Sequence, residues 1–448
     1  MLKGCTARRR RRVATAVGAA LSVLLVPQVS QRLPVAQAGA PLAQSGPSAP
    51  KQICAWPRAA IGKQRFGNVG FVDTYAAYLL TTFAYLSGPT LRIHGLFPYA
   101  RYMSFTLYAG RSNVLVDHLA DKDIVPDAGS TNPFAPLADR QAKHRAYTIT
   151  IRQGLAPPGG RAPNTLYTGP YHPIIVMYRV YAPDQGADDF GNVPKPSVEY
   201  LNGPPESYTK SQQLPPCNTP QPARAAPNFA ITTTEKWQRF GSQGGAGVNG
   251  DEAYLQMRLD RHDADEFVLR FKAPTFADTY DGNRITGREN VRFWSVCMYD
   301  MASTRVIACL HDYEAVRSRS GYVTVLISTL ANRPRSATRA NGINWIPFGP
   351  EAVGMVTYRQ LLPSPTFSGS IMRVAPDAYQ FEMKAALGRY LPTIQTCSLI
   401  SFTPQTCSDQ IDPTQCTDLT EPSPCGNAVP PLRAVVRRSP GGLRGNGG

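Results

Sequence analysis

The chain carries one strand-like passage twice. Arg101-Tyr-Met-Ser-Phe-Thr-Leu-Tyr108 returns as Arg292-Phe-Trp-Ser-Val-Cys-Met-Tyr299, and the match runs without a gap to Ile124 and Ala315. Arg101/Arg292, Ser104/Ser295, Tyr108/Tyr299, Leu119/Leu310 and Asp121/Asp312 are identical pairs. Further landmarks recur in the same order. Tyr75-Ala-Ala-Tyr78, Leu91-Arg-Ile93, Tyr147 to Ile151 and Met177 to Tyr181 answer to Asp251-Glu-Ala-Tyr254, Leu269-Arg-Phe271, Tyr322 to Leu326 and Val356 to Arg359. Equal order with unequal spacing is what insertions in the loops of a common fold produce.

The landmarks are short, rich in Tyr, Val, Ile and Thr, and punctuated by Gly and Pro, which is strand chemistry. With 41 Pro and 37 Gly there is little room for long helices. The expected fold is all-β: tandem duplicated β-sandwich domains, jelly-roll-like, with few short helices and a disulfide-rich C-terminal tail. Two helices are expected, over Asp73 to Leu86 and over Pro376 to Leu387, the second with Gly388 just past its end. The boundaries read as an extension over 39–65, a first repeat over 66–200, a Pro-rich linker over 201–228, a second repeat over 229–390, a Cys-rich tail over 391–429 and a disordered basic tail over 430–448.

Residues 1–38 have the form of a signal peptide. Lys3 and Arg8 to Arg12 make a basic start, Val13 to Val26 an apolar stretch, and Ala36-Gln37-Ala38 a small-x-small cleavage site. The alternative is an uncleaved anchor, and the arginine run leaves both the general and the twin-arginine export routes open. Cleavage implies a secreted or periplasmic protein with no membrane span. It lowers the net charge from +16 to +9, since seven cations and no acids leave with the segment. The remaining arginines are dispersed, with no recognition helix or dense basic stripe, which argues against a nucleic-acid partner.

Cys5 leaves with the signal, and eight cysteines remain of nine. An even count in an exported chain points to disulfides. Cys54 and Cys217 bracket the first repeat, Cys297 and Cys309 face each other across a hairpin, and two bridges are expected among Cys397, Cys407, Cys416 and Cys425. A metal site competes poorly, because there is no CxxC pair and no histidine in the tail.

Period two places Arg101, Met103, Phe105 and Leu107 on one face of their strand, and Tyr102, Ser104, Thr106 and Tyr108 on the other. Each shared arginine then enters the core side and needs a carboxylate, for which Asp121/Asp312 or Asp123/Glu314 on the following segment are the candidates. The functional alternative is ligand binding at Arg101, Tyr102 and Tyr108, with the arginine taking a carboxylate or phosphate. The first repeat alone has Asp117-His118 followed by Asp121, Asp123, Asp127 and Asn132. These residues suit a general acid–base pair among Asp117, His118, Asp121, Asp123 and Asp127. Calcium coordination by Asp121, Asp123 and Asp127 is a second use, although the spacing is not that of an EF-hand. A solvated turn is the plainer reading. No cofactor is otherwise implied.

His311-Asp312 could orient an imidazole, but no nucleophile motif accompanies it. The tyrosines Tyr75, Tyr78, Tyr99, Tyr102, Tyr108, Tyr178 and Tyr181 either line a ligand platform or simply pack.

The passage Leu91-Arg-Ile-His-Gly-Leu-Phe-Pro-Tyr-Ala-Arg-Tyr-Met-Ser-Phe-Thr-Leu-Tyr108 resembles exported bacterial proteins with a jelly-roll-like domain of unknown function, of the Arg-Tyr-x-Ser strand type. The resemblance spans roughly residues 70–181. It implies a β-sandwich and brings no catalytic residues with it. The second copy departs from it, with Ala273-Pro274 and an insertion where Gly95 to Pro98 stand in the first.

The leading functional expectation is a secreted protein that binds a ligand, a glycan or a cell-envelope component. The alternative is a secreted hydrolase acting on a polysaccharide or similar polymer.

Overall fold

A computed structural model describes residues 54–83, 89–202, 210–224, 236–240, 247–376 and 378–397. The export segment, the tail cysteines Cys407, Cys416 and Cys425, and the basic tail over 430–448 lie outside the described residues.

The first half contains β1 (Arg58–Ile61), β2 (Ala76–Phe83), β3 (Pro89–Leu96), β4 (Ala100–Ala109), β5 (Leu115–Ala120), β6 (Ala146–Arg152), β7 (Thr165–Tyr167), β8 (Ile174–Pro183), β9 (Ser197–Asn202), β10 (Lys210–Leu214) and β11 (Gln221–Pro222). The second contains β12 (Gln238–Phe240), β13 (Glu252–Asp260), β14 (Glu266–Lys272), β15 (Phe293–Asp300), β16 (Val306–His311), β17 (Tyr322–Ser328), β18 (Ile343–Pro347), β19 (Val353–Leu361), the helix α1 (Gln380–Leu387) and β20 (Thr393–Cys397).

The strands form four sheets, in the orders β11-β1-β2-β8-β4-β5, β10-β9-β3-β6-β7, β12-β13-β19-β15-β16 and β18-β17-β14-β20. The run β2-β8-β4-β5 has the same order as β13-β19-β15-β16, and β9-β3-β6-β7 the same as β20-β14-β17-β18. Even the parallel pairing of β6 with β7 is matched by that of β17 with β18. A tryptophan closes each half in the same way. Trp56 Nε1 donates to the Pro196 carbonyl at 2.6 Å, and Trp237 Nε1 donates to that of Pro392 at 2.7 Å.

Each half is a sandwich with its own apolar interior. Met103, Phe105 and Leu107 of β4 meet Ile93, Ile149 and Ile151 in the first; Trp294, Val296 and Met298 of β15 meet Leu269, Phe271 and Val325 in the second. A third apolar layer lies between the halves, joining Tyr102, Tyr108 and Tyr181 to Phe293, Cys297 and Tyr299. Every residue of β4 is therefore buried, with the alternation expected from period two and apolar contacts on both faces. Truncating Phe105 here removes a fully enclosed ring and carries a cost of about 3–5 kcal/mol.

Some expectations meet a different structure. Asp73 to Phe83 is not helical, the remaining residues to Leu86 lying outside the described residues: Ala76 to Phe83 form β2, which is mostly buried and pairs with β1 on one side and β8 on the other. The second helix does form, as α1, and Gly388 follows it at φ +52°. Within the stretch read as a linker, β10 pairs with β9 and β11 pairs with β1, so it extends the first half's sheets. β20, from the stretch read as tail, pairs with β14. Cys54–Cys217 and Cys297–Cys309 are disulfides, with sulfurs 1.99 Å and 2.02 Å apart. Among the described residues no helix is long and apolar enough to cross a membrane.

Candidate functional site

Each carboxylate of the long first-half loop holds a different structural partner. Asp117 is buried, paired with Arg161, and accepts the Tyr167 amide at 2.8 Å. His118 reaches into the second half, its Nε2 lying 3.2 Å from Asp251 Oδ1, and the hydrogen bond to Asp251 outweighs partial burial to raise its pKa. Asp123 is exposed and pairs with Lys122 at 2.7 Å. Asp127 accepts the Thr148 hydroxyl at 3.0 Å.

Asp121 is fully buried. It accepts the Met103 amide at 2.9 Å and pairs with Arg292 at 3.1 Å, while burial pushes its carboxyl up to about 6 against that attraction. Asp312 mirrors it, accepting the Trp294 amide at 3.0 Å and pairing with Arg101. Both ion pairs thus cross between the halves. Acids of the expected kind do hold the arginines, but each comes from the opposite half, because the sheets carrying β4 and β15 pack face to face. The guanidinium of Arg101 also lies over the Phe276 ring, at 5.1 Å, and is fully buried.

A second buried network was not legible in the sequence. Asp73 Oδ1 faces His311 Nε2 at 2.9 Å and accepts the Tyr75 amide at 2.8 Å, while Oδ2 accepts the Ser295 hydroxyl at 2.7 Å. His311 Nδ1 lies 3.0 Å from Glu314 Oε2. Burial disfavours both charges, yet mutual attraction wins. Asp73 is held well below the usual carboxylate range by His311 and by Arg359, 3.7 Å away, and His311 is pushed up to about 9. Ser295 donates to the carboxylate and not to the imidazole, and a carboxylate held this far below its usual range is a poor base for activating a hydroxyl. Asp73, Cys309 and His311 are the one grouping with metal-ligand proximity among the described residues, but Cys309 is spent in a disulfide and offers no thiolate.

A further feature is a cavity of about 340 Å³ where β1, β2 and β8 face β13 and β19. Phe71, Val72, Leu80, Ile175, Met177 and Val248 line it, with Tyr78, Tyr108, Tyr181 and Tyr254. The tyrosine hydroxyls are already committed. Tyr108 donates to the Val248 carbonyl at 2.6 Å, and the Tyr78 and Tyr181 hydroxyls are 2.7 Å apart. Tyr181 and Tyr254 donate to Glu252 at 3.3 Å and 2.8 Å. Tyr102, next to this layer, donates to Asp251 at 2.7 Å. Their polar ends are held by protein partners, as buried tyrosine requires.

Two uncharged side chains buried in the cavity wall each carry a polar atom that is not committed. Gln256 and Thr357 are direct cross-strand partners on β13 and β19, 5% and 1% exposed, and both line the space. Gln256 Oε1 and Thr357 Oγ1 have no hydrogen-bond partner among the described residues. Burying a polar atom in this way costs about 1–3 kcal/mol. The first half shows what the fold itself asks for at these places. Tyr78 pairs with Arg179 as Tyr254 pairs with Arg359, and two residues further on the first half has Leu80 opposite Met177 where the second has Gln256 opposite Thr357. The tyrosine and arginine are common to both halves; the unpartnered polar pair is private to the second. Sequence reading noted Tyr78 and Tyr108 here but passed over Gln256 and Thr357. The signal was the replacement of an apolar cross-strand pair by a polar one at matched positions.

Comparison with known proteins adds little to this geometry. No family model matches the chain, and no curated protein matches it. Among solved structures it is similar to a putative uncharacterised protein from Burkholderia cenocepacia, with a TM-score of 0.43 and 12% identity over 75% of this chain and 79% of that one. It is also similar to a protein from Vibrio parahaemolyticus, with a TM-score of 0.37 and 12% identity over 73% of this chain and 90% of that one.

Proposed function

We propose that the protein is an exported binding protein whose ligand, a small and largely apolar molecule, occupies the cavity between the two halves. The observation that carries this reading is the uncommitted Gln256 Oε1 and Thr357 Oγ1, buried in an aromatic-walled and largely apolar space. Ligand sites combine such walls with a few placed polar groups, and about 340 Å³ lies in their size range. A pocket of this size favours a small molecule over a glycan chain or an extended envelope polymer. Export rests on the form of residues 1–38, and the two disulfides suit an oxidising compartment. The hydrolase alternative has no comparable observation, since Asp117, Asp121, Asp123 and Asp127 are each held by separate structural partners.

The test uses 1-anilinonaphthalene-8-sulfonate as an aromatic probe of the folded protein. Saturable binding at one site is expected, and it should be abolished by Leu80→Trp or Met177→Trp, which fill the cavity from the first-half wall. Circular dichroism establishes that the variants fold. Absence of saturable binding overturns the reading, as does binding unchanged in both folded variants.

A further inference from the structure

The chemistry of the cavity narrows its ligand, on the premise that the cavity is the binding site. Gln256 Oε1 is an acceptor and needs a donor, whereas the Thr357 hydroxyl can donate or accept. A ligand hydroxyl meets both needs at once, donating to Gln256 while accepting from Thr357. It does so with the Gln256 amide in either orientation, because a hydroxyl both donates and accepts. A ketone or ether would leave the Gln256 oxygen orphaned.

The charges of the lining residues point the same way for the other end of the ligand. The charged residues among them are Arg359 and Arg224. Arg359 is 2% exposed and stands beside two carboxylates, 3.7 Å from Asp73 and 3.8 Å from Glu252, so its charge is already offset. Arg224 is exposed at the rim and has no carboxylate partner among the described residues. A cation entering here would meet arginine at the mouth, whereas an acid group would meet an available counter-charge.

We infer that the cavity takes a hydroxylated amphipathic acid: an apolar body among the tyrosines, Leu80 and Met177, an inner hydroxyl between Gln256 and Thr357, and an outer carboxylate at Arg224. The two ends are recognised by different physics. The inner contact is buried and sets selectivity, since a ligand lacking the hydroxyl leaves two enclosed polar atoms unpaired. The outer contact is exposed, screened by salt and correspondingly weaker.

Isothermal titration of the full chain with ω-hydroxydecanoate, decanoate and decane diol tests each part. ω-Hydroxydecanoate should bind about tenfold tighter than decanoate. Gln256→Leu combined with Thr357→Val should erase or reverse that preference. Arg224→Ala should remove the preference for ω-hydroxydecanoate over the diol, and added salt should reduce it in the wild type. Equal affinity for the hydroxylated and plain acids in the wild type overturns the inference. So does a preference that survives the Gln256/Thr357 double variant, or a diol that binds as well as the hydroxy acid at low salt. If these fail while the aromatic probe still binds and is lost in Leu80→Trp, the binding site stands and only the ligand class is wrong. If the probe also fails, the site itself falls.

Discussion

Arg101 of the first half pairs with Asp312 of the second, and both side chains are completely buried. Arg292 answers it by pairing with Asp121 at 3.1 Å and donating to the carbonyl of Arg101, also at 3.1 Å. Each acid at the same time accepts a backbone amide from its own half, Asp312 from Trp294 and Asp121 from Met103. The two carboxylates are therefore clasps. One oxygen orders the strand of their own half and the other holds the opposite half in register.

This arrangement fixes which residues couple energetically. Removing Arg101 alone leaves Asp312 buried and uncompensated, at an expected cost of about 3–5 kcal/mol. A double-mutant cycle with Arg101→Met and Asp312→Asn should show a strong coupling, above about 1.5 kcal/mol, in denaturant unfolding. The cycle pairing Arg101→Met with Asp121→Asn, the corresponding acid of the same half, should show a smaller one. Reversal of that order would mean that the ion pairs close within each half.

The same contact shows how far the sequence could be read. Period two in Arg101 to Tyr108 correctly placed Met103, Phe105 and Leu107 on one face. It did not reveal that the opposite face is also buried, because Tyr, Ser and Thr suit a wet surface and a hydrogen-bonded interface equally well. The need of Arg101 for an acid was legible from chemistry alone. Which copy supplies that acid was not, since Asp121 and Asp312 stand at the same spacing in two similar passages. Cys54 and Cys217 were legible as a bracket around one unit. Asp73 was not, for it is a lone acid before a strand and gains its role only when the second half brings His311, Ser295 and Arg359 to it. Leu80 and Met177 against Gln256 and Thr357 form an intermediate case. The contrast is present in the sequence but acquires meaning only once β13 and β19 are known to pair.

His311 gives the interface a pH dependence of definite sign. Its neighbours Asp73 and Glu314 raise its folded value to about 9 from 6.5, against the opposing effect of burial, so the folded protein binds this proton more tightly than the unfolded chain. The resulting stabilisation is complete below about pH 6.5 and is lost as pH rises through about 9. Asp73 works in the other direction, contributing above its unfolded value of 3.8 and losing that contribution on acidification. The stability advantage of the wild type over His311→Gln should therefore be greater at about pH 6 than at about pH 9.5 by about 3 kcal/mol. Chemical denaturation at the two pH values measures it. Groups such as Asp121, common to both proteins, cancel in the difference. An advantage that does not change with pH would show that folding leaves the His311 value where it is in the unfolded chain.

Gly62 sets the position of that histidine's partner. Its amide donates to the Ala76 carbonyl at 2.9 Å, and a Cβ at this residue would fall directly on the Asp73 carbonyl and come within 2.8 Å of the Thr74 Cα. These are backbone atoms, so no side-chain rotation relieves the clash, and Gly62→Ala must push the Asp73 segment away from His311. The expected loss is about 2–3 kcal/mol of unfolding free energy. Gly159→Ala is the control, since its Cβ would meet nothing within 4 Å and its effect should be near zero. Lost packing alone would lower the unfolding free energy equally at both pH values. Displacement of Asp73 predicts more than that, namely a smaller pH step between about pH 6 and about pH 9.5 in Gly62→Ala than in the wild type, because the carboxylate that raises the His311 value has moved. A destabilised Gly62→Ala protein that keeps the full step would mean that this glycine serves the turn and not the network.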